Sequence, residues 1–404
     1  MQVAILGCGV VGRGTADLLT ANAEAIAARA GEPVTVKYIL ERREIPDCPY
    51  QALFVKDFET IVSDPEVSVV IEAMGGSHPA YDFSLRALEA GKHVITSNKE
   101  VVANFGVDLL RTAREKGVLY LFEASVGGGI PVLHPLAADL SGNVIDNIFG
   151  ILNGTTNYIL TRMYEAGATF ADALAEAQEK GYAEANPAAD VEGLDACRKI
   201  AILAAIATGT LVRTDDIHTE GITAIRPADV SAASSLGYAI KLLGRMVRTA
   251  AGELFLVVAP FFVDKANPLA GISDVFNGVL IHGNFVDNVL FYGRGAGAAP
   301  TASAMVGDLM HVATGGTRYH GEWKAAAEGD VTDFSYFAAR RYLAIGNCER
   351  NSAEVIFGDA EFLNAPDGEI QLLTLPMSER EYEDKVTRLS SCGGRILSHI
   401  RILG

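Results

Sequence analysis

The amino-acid sequence predicts an α/β protein of more than one domain, and three observations support this prediction. Short apolar strands alternate with helices from the first residues to about residue 130. A glycine-rich turn joins the first of these strands to the first helix. Further along, Val-, Ile- and Phe-rich segments broken by Asn and Gly predict strands at 256–263, 278–282 and 288–292 in a mixed or antiparallel sheet. The 404 residues suffice for two or three domains.

The composition excludes several classes of protein. With 49% hydrophobic residues and a net charge of −17, the chain can bury a large core, and we expect no nucleic-acid partner. We expect no membrane partner either, because no apolar run approaches the ~20 residues that a membrane span needs. The first strand pattern has no signal peptide before it, and the five cysteines form no C-x-x-C pair. Both features indicate reduced thiols and a cytoplasmic location.

The glycine-rich turn follows the apolar strand at 2–6 and opens a helix that extends to about Arg29. It reads G-x-G-x-x-G between a strand and a helix, which is the setting of a Rossmann-type dinucleotide-binding domain. The first glycine permits the tight turn, the second lets a pyrophosphate approach the backbone, and the third lets helix and strand pack closely. The alternative is a glycine-rich turn without a ligand. The residues expected to contact the dinucleotide are Gly7, Gly9, Val10, Val11 and Gly12.

The choice of nicotinamide cofactor depends on the end of the second strand, at 34–40. Glu41 stands where an acid would hold the ribose hydroxyls of NAD, and Arg42 and Arg43 stand where an arginine would hold the 2′-phosphate of NADP. The pattern therefore leaves NAD and NADP open, and the two arginines favour NADP through Arg42. Arg43 has the alternative role of a solvated surface charge.

Polar residues also follow a later strand of the predicted parallel sheet. A strand at 67–73 and a helix at 79–90 lead to a strand at 93–96, and Ser97-Asn98-Lys99 follows as a loop. Ligands of open α/β sheets bind at this edge, so Ser97 and Lys99 are placed to contact the nicotinamide, and Lys99 also the substrate. An exposed lysine without a function is the alternative for Lys99.

The segment after the strand at 118–122 combines one acid with backbone carbonyls. Glu123 is followed by three consecutive glycines, Gly127, Gly128 and Gly129. Hard cations bind such sets of oxygen atoms. A flexible crossover between two domains explains the same composition equally well.

The segment 177–199 has two parts, a turn-rich acidic loop and the start of a very apolar helix. Asp195 and Lys199 are four residues apart and share one helical face. On an ordinary surface helix such a pair is a solvated salt bridge of little value. This helix is apolar on nearly all sides, which indicates burial, and a charged pair in a buried setting often marks a site.

The segment 177–199 also carries a resemblance to a known family. It reads A-x3-G-Y-A-E-x-N-P-x2-D-x-x-G-x-D-x3-K and is similar to the signature of the homoserine dehydrogenases. The T-S-N-K run at 96–99 and the N-G-T-T-N run at 153–157 resemble the same family. The resemblance implies NAD(P)-dependent interconversion of L-homoserine and L-aspartate 4-semialdehyde in threonine, methionine and isoleucine biosynthesis. A homodimer or homotetramer is implied as well.

The resemblance, together with the chemistry that hydride transfer needs, assigns roles to single residues. Lys199 and Lys99 are the candidate proton donors, and Asp195 would orient a lysine or the hydroxyl. The substrate is expected to contact Glu184, Asp190, Thr156 and Tyr182, with the two acids meeting its ammonium group. A sodium ion would be held by Glu123, Val126, Gly128 and Ile130. The glycine-rich loop that contains Gly295 would return to the cofactor, and the helix after it would rejoin the first domain.

Residues 334–404 read β-α-β-β-α-β and resemble a degenerate ACT-type module of ferredoxin type. The effector loop of such modules carries an Asp and a Gly before the first helix, and residues 346–351 lack that pattern. A packing or oligomer role is therefore the alternative to binding of an amino-acid effector.

We therefore expect a Rossmann-type dinucleotide-binding domain at 1–130, completed by a helix near 298–315. An α+β substrate-binding and dimerisation domain would follow at 131–297, and the ACT-like module at 330–404. Two other classes stay open. One is a related Rossmann oxidoreductase that acts on another small amino-acid aldehyde, and the other is a non-catalytic NAD(P) sensor. A sensor has no need of two lysines, Lys99 and Lys199, beside the acids.

Overall fold

The computed structural model describes residues 1–317 and 320–404. The α-helices of the described residues are α1 (Val10–Ala21), α2 (Ala23–Ala30), α3 (Phe58–Val62), α4 (Ala80–Glu89), α5 (Lys99–Lys116), α6 (Leu133–Ala137), α7 (Gly154–Ala166), α8 (Phe170–Glu179), α9 (Ala188–Val191), α10 (Leu194–Thr208), α11 (Pro227–Ser235), α12 (Ala298–Ala313), α13 (Arg350–Phe357) and α14 (Glu379–Ser391). None of these helices is both long enough and apolar enough to cross a membrane.

The strands of the described residues are β1 (Gln2–Leu6), β2 (Thr35–Leu40), β3 (Phe54–Val55), β4 (Val67–Glu72), β5 (His93–Thr96), β6 (Tyr120–Leu121), β7 (Ile145–Ile151), β8 (Thr210–Leu211), β9 (His218–Thr219), β10 (Tyr238–Arg248), β11 (Leu254–Asp264), β12 (Phe276–Gly283), β13 (Asp287–Arg294), β14 (Lys324–Ala325), β15 (Ala338–Gly346), β16 (Glu361–Phe362), β17 (Glu369–Leu373), β18 (Met377–Ser378) and β19 (Arg395–Ile402).

The chain forms two compact units, each built from separate stretches of sequence. The first unit comprises Met1–Ile145, Arg198–Asp216 and Ile281–Ala326. The second unit comprises Asp146–Cys197, Ile217–Leu280 and Ala327–Gly404. The tail segment thus belongs to the same compact unit as the loop that carries Asp190 and Asp195.

The first unit is a doubly wound parallel sheet with the strand order β3-β2-β1-β4-β5-β6. All five neighbouring pairs run parallel, and this order is that of dinucleotide-binding folds. Val3 and Ile5 of β1 are fully buried and share one core with Met305 and Leu309 of α12. The helix expected near 298–315 is therefore α12, and it packs into the core of this unit.

The second unit is built on a mixed sheet with the order β12-β7-β10-β11-β19-β15-β17-β16. Strand β10 runs antiparallel to both β7 and β11, while β11 and β19 run parallel. Within the tail, β15 runs antiparallel to β17 and β19, and helices α13 and α14 pack on this part of the sheet through residues such as Ile356 and Leu389. The predicted β-α-β-β-α-β order of the tail is observed, with the two-residue strand β18 added before α14.

One sequence-based expectation about the elements was wrong, and one strand was missed. Lys99 does not lie in a loop, because it is the first residue of α5, whose N-cap is the Asn98 side chain. The N-G-T-T-N run at 153–157 opens α7, which begins at Gly154 and is capped by the Asn153 side chain. Strand β10 was not predicted, because its buried Lys241 interrupts the apolar pattern. That ammonium group donates to the Asn157 side chain and the Ile272 carbonyl, which offsets the cost of its burial.

Candidate active site

The glycine turn after β1 has the shape that a bound dinucleotide requires. Gly7 has φ +94° and donates its N–H to the Leu40 carbonyl at 2.9 Å. A Cβ on Gly12 would lie 2.0 Å from the Gly7 carbonyl oxygen, so helix and turn could not pack with any other residue there. A Cβ on Gly9 would meet no described atom within 4 Å, so the turn is open on that side.

The helix that follows this turn presents its N-terminus to the open side. Helix α1 begins at Val10, which is 71% exposed, and Gly9 at the N-cap position provides no side-chain cap. The first N–H groups of a helix have no intrahelical partner, and together with the helix dipole they favour a phosphate. The turn therefore has the shape that suits the pyrophosphate of a dinucleotide, and contacts from Gly7, Gly9, Val10, Val11 and Gly12 stay a prediction.

The acid at the end of β2 is turned into the protein. Glu41 is 7% exposed and accepts hydrogen bonds from the Cys8 N–H at 3.2 Å and from the Arg43 backbone and side chain at 3.0 Å. The hydrogen bonds from the Arg43 guanidinium lower the pKa of Glu41 to about 2. Arg43 is thus more than a solvated charge, because it neutralises the acid that would hold a ribose.

Arg42, between Glu41 and Arg43 in the chain, is exposed. Its carbonyl accepts a hydrogen bond of 2.7 Å from the ammonium group of Lys56, just after β3. Sequence reasoning missed Lys56, because nothing in its local pattern shows that β3 lies beside β2. The structure therefore gathers Arg42, Arg43 and Lys56 at this edge of the sheet.

A second missed residue, Glu72, lies at the end of β4. It is fully buried and accepts hydrogen bonds from the Thr96 hydroxyl at 2.5 Å and the Met74 N–H at 2.6 Å. Burial raises its pKa to about 7, although these hydrogen bonds act in the opposite direction. Glu72 thereby ties the loop after β4 to the end of β5.

Asn98 extends this connection to Lys99. Its side-chain oxygen caps α5 by accepting from the Val101 N–H at 3.2 Å, and its amide donates to the Gly76 carbonyl at 2.8 Å. Ser97 and Lys99, both half-buried, are held on either side of this residue. The backbone that carries these two predicted cofactor residues is therefore fixed by buried polar contacts.

The expected cation segment is packed and hydrogen-bonded. The Glu123 carboxylate, 5% exposed, accepts three backbone N–H groups, from Val132 at 2.7 Å, Leu133 at 2.8 Å and His134 at 2.6 Å. Burial raises the pKa of Glu123, and these hydrogen bonds oppose that shift. The Glu123 carboxylate is thus held in place by main-chain N–H groups on both of its oxygens.

The glycines of this segment lie against the loop that holds Gly295. A Cβ on Gly128, where φ is +53°, would lie 2.5 Å from the Gly295 carbonyl oxygen, and Gly129 donates its N–H to the Arg294 carbonyl at 3.1 Å. Val126 and Ile130 are buried beside them. A sodium site at Glu123, Val126, Gly128 and Ile130 stays a prediction.

In the second unit, Asn153 brings the two acids of the family signature together. Its amide nitrogen donates to Asp190 at 2.7 Å and to Asp195 at 2.9 Å, and its amide oxygen accepts from the Thr156 N–H at 2.8 Å. Asp195 is 5% exposed. Two carboxylates are therefore held by one amide at the point where β7 meets α7.

The other predicted substrate residues are placed unequally. Thr156 is 1% exposed and donates its hydroxyl to the Asn153 carbonyl at 3.1 Å, so its hydroxyl already serves the turn. Tyr182 is 41% exposed, and its carbonyl accepts from the Thr155 hydroxyl at 2.6 Å. Glu184 is exposed, and its carbonyl accepts from the Gln178 amide at 3.0 Å.

Lys199 lies one helical turn after Asp195 on α10 and is 7% exposed. The helix from Ile200 to Ala205 is fully buried. Lys199 is therefore a buried lysine and not an ordinary surface lysine. A buried lysine one turn from a buried aspartate is suited to proton transfer.

These features define a class of protein. An open glycine turn on a Rossmann sheet is the setting in which nicotinamide dinucleotides bind, and these cofactors carry out hydride transfer. The chain is accordingly an oxidoreductase of the nicotinamide-dependent class.

Comparisons with known proteins narrow the class. Residues 7–123 match the family described as homoserine dehydrogenase, NAD binding domain, and residues 131–310 match the family described as homoserine dehydrogenase. The homoserine dehydrogenase of Pseudomonas aeruginosa is 46% identical over 313 residues, covering 77% of this chain and 72% of that protein. That of Synechocystis is 44% identical over 319 residues, covering 77% and 73%. The chain therefore belongs to the homoserine dehydrogenase family.

Solved structures agree with this assignment. A crystal structure of a homoserine dehydrogenase from Thiobacillus denitrificans has a TM-score of 0.91 at 34% identity, covering all of this chain and 98% of that one. A hyperthermophilic archaeal homoserine dehydrogenase in complex with NADPH has a TM-score of 0.65 at 26% identity, covering 77% of this chain and 96% of that one. The first of these covers the tail as well.

Proposed function

We propose that this chain interconverts L-homoserine and L-aspartate 4-semialdehyde with NAD(P), in the biosynthesis of threonine, methionine and isoleucine. The observation that carries the proposal is the pair of acids, Asp190 and Asp195, which the Asn153 amide bridges. Asp195 lies one helical turn before the buried Lys199 on α10. Family membership supports the same reaction.

The residues of this chain would divide the work as follows. The nicotinamide, when bound, supplies or accepts the hydride. In the reductive direction Lys199 or Lys99 donates a proton to the carbonyl oxygen, and Asp195 orients the donor or the hydroxyl. Glu184 and Asp190 meet the ammonium group of the substrate, since a carboxylate–ammonium hydrogen bond is about twice as strong as a neutral one.

The same proposal favours NADP over NAD. Arg42 is exposed beside Lys56, while Arg43 neutralises Glu41, the acid that would otherwise hold the ribose of NAD. A 2′-phosphate would therefore meet positive charge at this edge of the sheet. The archaeal relative in complex with NADPH is consistent with this preference.

The sodium ion and the tail complete the proposal. Glu123, Val126, Gly128 and Ile130 would hold the cation, and replacement of sodium by a large organic cation would then lower activity. The tail is proposed to be an ACT-like module that serves packing or a homodimer or homotetramer, in a cytoplasmic enzyme. Because residues 346–351 lack the effector pattern, threonine should inhibit weakly or not at all; inhibition at micromolar threonine would contradict this part of the proposal.

A spectrophotometric assay tests the function directly. Purified enzyme is mixed with L-homoserine and with either NADP+ or NAD+ at alkaline pH, and formation of the reduced cofactor is followed. Formation with homoserine supports the proposal. Formation with a different amino alcohol, and none with homoserine, would point to an oxidoreductase for another amino-acid aldehyde. Cofactor binding without turnover of either would point to a sensor.

A further inference from the structure

We infer that Arg401, in the last strand of the chain, is a positioning residue for the loop that carries Asp190 and Asp195. Arg401 acts through Glu220, whose neighbours in the chain contact the backbone of that loop. The inference rests on the proposed function, because its effect is measured on homoserine. Arg401, Glu220, Asp190 and Asp195 all belong to the second unit.

The first step is the contact between the segment 217–222 and the loop. The Ile222 N–H donates to the Val191 carbonyl at 2.8 Å. A Cβ on Gly221 would lie 2.1 Å from that same carbonyl oxygen and 2.7 Å from the Glu192 Cα, so the two backbones touch. Residues 191 and 192 lie between Asp190 and Asp195. A shift of 217–222 would therefore move the backbone that sets the spacing of the two acids.

A second contact lies at the start of α10. Gly193 has φ +84°, and a Cβ there would lie 3.1 Å from the Glu220 carbonyl oxygen. The loop that carries Asp190 thus contacts Gly221 through residues 191 and 192, and it contacts Glu220 through Gly193, just before α10 begins. Because protein interiors are close-packed and transmit strain, displacement of Glu220 would reach Asp195 in the first turn of the helix.

The second step is the anchoring of Glu220. Its N–H donates to the Val258 carbonyl of β11 at 2.7 Å, which extends the pairing of β9 with that strand. Its carboxylate accepts from the Arg401 guanidinium at 2.9 Å. Arg401 is 1% exposed and lies on β19, the strand that runs parallel to β11. The position of the Glu220 carboxylate is therefore fixed by Arg401, a residue of the tail.

The guanidinium is itself held in one orientation. Arg401 donates through Nε to Glu379 at 2.8 Å, and Glu379 also accepts from Arg341, which is fully buried, at 2.6 Å. His218 contacts the other oxygen of Glu220 at 2.6 Å, and His399 approaches at 3.6 Å. Burial by itself would raise the pKa of Glu220, but the hydrogen bonds from His218, His399 and Arg401 hold it well below its usual range. The carboxylate thus remains charged and paired.

The structure also offers a matched control. Arg226 forms a similar partly buried network, donating to Asp229 at 2.9 Å and to Glu369 of the tail at 2.8 Å. It joins the tail to α11, and within the part of the chain that the structure describes its hydrogen bonds and ion pairs go to Asp229 and Glu369 and not to 191–193 or 217–222. Loss of either arginine should destabilise the enzyme, and only loss of Arg401 should displace the substrate loop.

The test compares Arg401→Met, Arg401→Lys, Glu220→Gln and Arg226→Met in the full-length enzyme. For Arg401→Met we expect kcat/KM for homoserine to fall roughly 10-fold to 100-fold, since small misplacements of a catalytic group have effects of this size. The KM for the cofactor should stay unchanged. Glu220→Gln should act in the same direction, and Arg401→Lys should restore part of the loss. Arg226→Met should lower the melting temperature and leave the KM for homoserine unchanged.

Several outcomes would overturn the inference. Unchanged homoserine kinetics in both Arg401→Met and Glu220→Gln would do so, as would an equal loss in Arg226→Met, which would reduce the effect to general destabilisation. Should Arg401→Met fail to fold, the milder Arg401→Lys and Glu220→Gln variants decide the question. Wild-type enzyme that does not turn over homoserine refutes the proposed function instead, so the two failures are distinct.

Discussion

The glycine turn of the first unit and the acidic loop of the second unit are both proposed binding loops that precede a helix, but one is formed by the backbone and the other by side chains. In the glycine turn the backbone makes the site: φ +94° at Gly7, the close approach at Gly12 and the uncapped N-terminus of α1. In the acidic loop side chains make the site, because Asn153 must reach Asp190 and Asp195 to hold them together.

This difference decides how each site responds to change. A backbone site depends on residues that lack side chains, so replacements away from its glycines leave its shape intact. A side-chain site depends on buried polar groups that satisfy one another, and losing one leaves the others unpaired in the interior. We therefore expect single substitutions in the second kind of site to separate chemistry from cofactor binding.

The largest effect is expected for Lys199→Ala. If Lys199 donates the proton, kcat should fall ~10²–10⁴-fold, which is the usual contribution of one general acid. The affinity for the cofactor should remain near normal, because the glycine turn is untouched. Steady-state kinetics with homoserine, together with fluorescence titration of the reduced cofactor, separate the two quantities.

Arg198→Ala is the matched control for this variant. Arg198 is the preceding residue on α10, is half-buried, and points about 100° away around the helix. The Arg198→Ala variant should keep most of the wild-type turnover. Near-normal turnover in Lys199→Ala would mean that the lysine is structural and that Lys99 is the better candidate for the proton donor.

The glycine turn could be predicted from sequence because its determinants are neighbours in the chain. Strand, turn and helix follow one another at 2–21, and the classical order of the sheet follows from the alternation of strands and helices. The Asn153 bridge could not be predicted, since it joins residues 37 and 42 positions apart and depends on where α9 and α10 pack. The inward turn of Glu41 was missed for the same reason.

The second largest effect is expected for the binding of NADPH, and it depends on the Arg42 side chain near the glycine turn. Arg42→Ala should weaken binding of NADPH by roughly 1.5–3 kcal/mol and leave NADH nearly unaffected, because a charge-assisted contact to the 2′-phosphate is lost. Isothermal titration with both cofactors measures the difference. Equal losses for the two cofactors would show that Arg42 does not contact the 2′-phosphate.

Arg43→Ala provides a sharper comparison at the same edge. It removes the guanidinium that holds Glu41. The freed carboxylate should then accept hydrogen bonds from the ribose hydroxyls, and the preference should move toward NAD. If Arg43→Ala behaves like Arg42→Ala, both arginines serve the phosphate and the pairing with Glu41 gives way when the cofactor binds.

A smaller effect is expected for Glu184→Gln. The amide keeps the shape and one acceptor oxygen but removes the charge, so binding of homoserine to the enzyme–cofactor complex should weaken by ~10-fold. The KM for the cofactor should not change. Titration calorimetry measures the binding, and the exposed Glu179→Gln on α8 is a suitable control. Unchanged binding with a lower melting temperature would place Glu184 in the scaffold of the loop.

The smallest effect on activity is expected for Glu72→Gln. The Glu72 carboxylate accepts hydrogen bonds from Thr96 and Met74 at the end of the parallel sheet. The pKa of Glu72 is raised by burial from its ordinary value of 4.5 to about 7. The native state therefore binds this proton more tightly than the unfolded chain does. The resulting stability is fully present below pH 4.5, and it is lost as the pH rises through 7. Glu72→Gln stays neutral and keeps an acceptor for the Met74 N–H, so its stability should not fall in this window.

Chemical denaturation at pH 5 and pH 8 measures this difference. Between these two values the wild-type enzyme should lose about 1–3 kcal/mol more than Glu72→Gln, since one pKa unit corresponds to ~1.4 kcal/mol. The exposed Glu89→Gln on α4 should behave like the wild type. Turnover of Glu72→Gln should stay near normal, because the Asn98 side-chain oxygen caps the helix that begins at Lys99 by accepting from the Val101 N–H, a bond that does not involve Glu72. Parallel stability curves for wild type and Glu72→Gln would mean that the carboxylate is already ionised at pH 5. In that case the hydrogen bonds from Thr96 and Met74 outweigh burial.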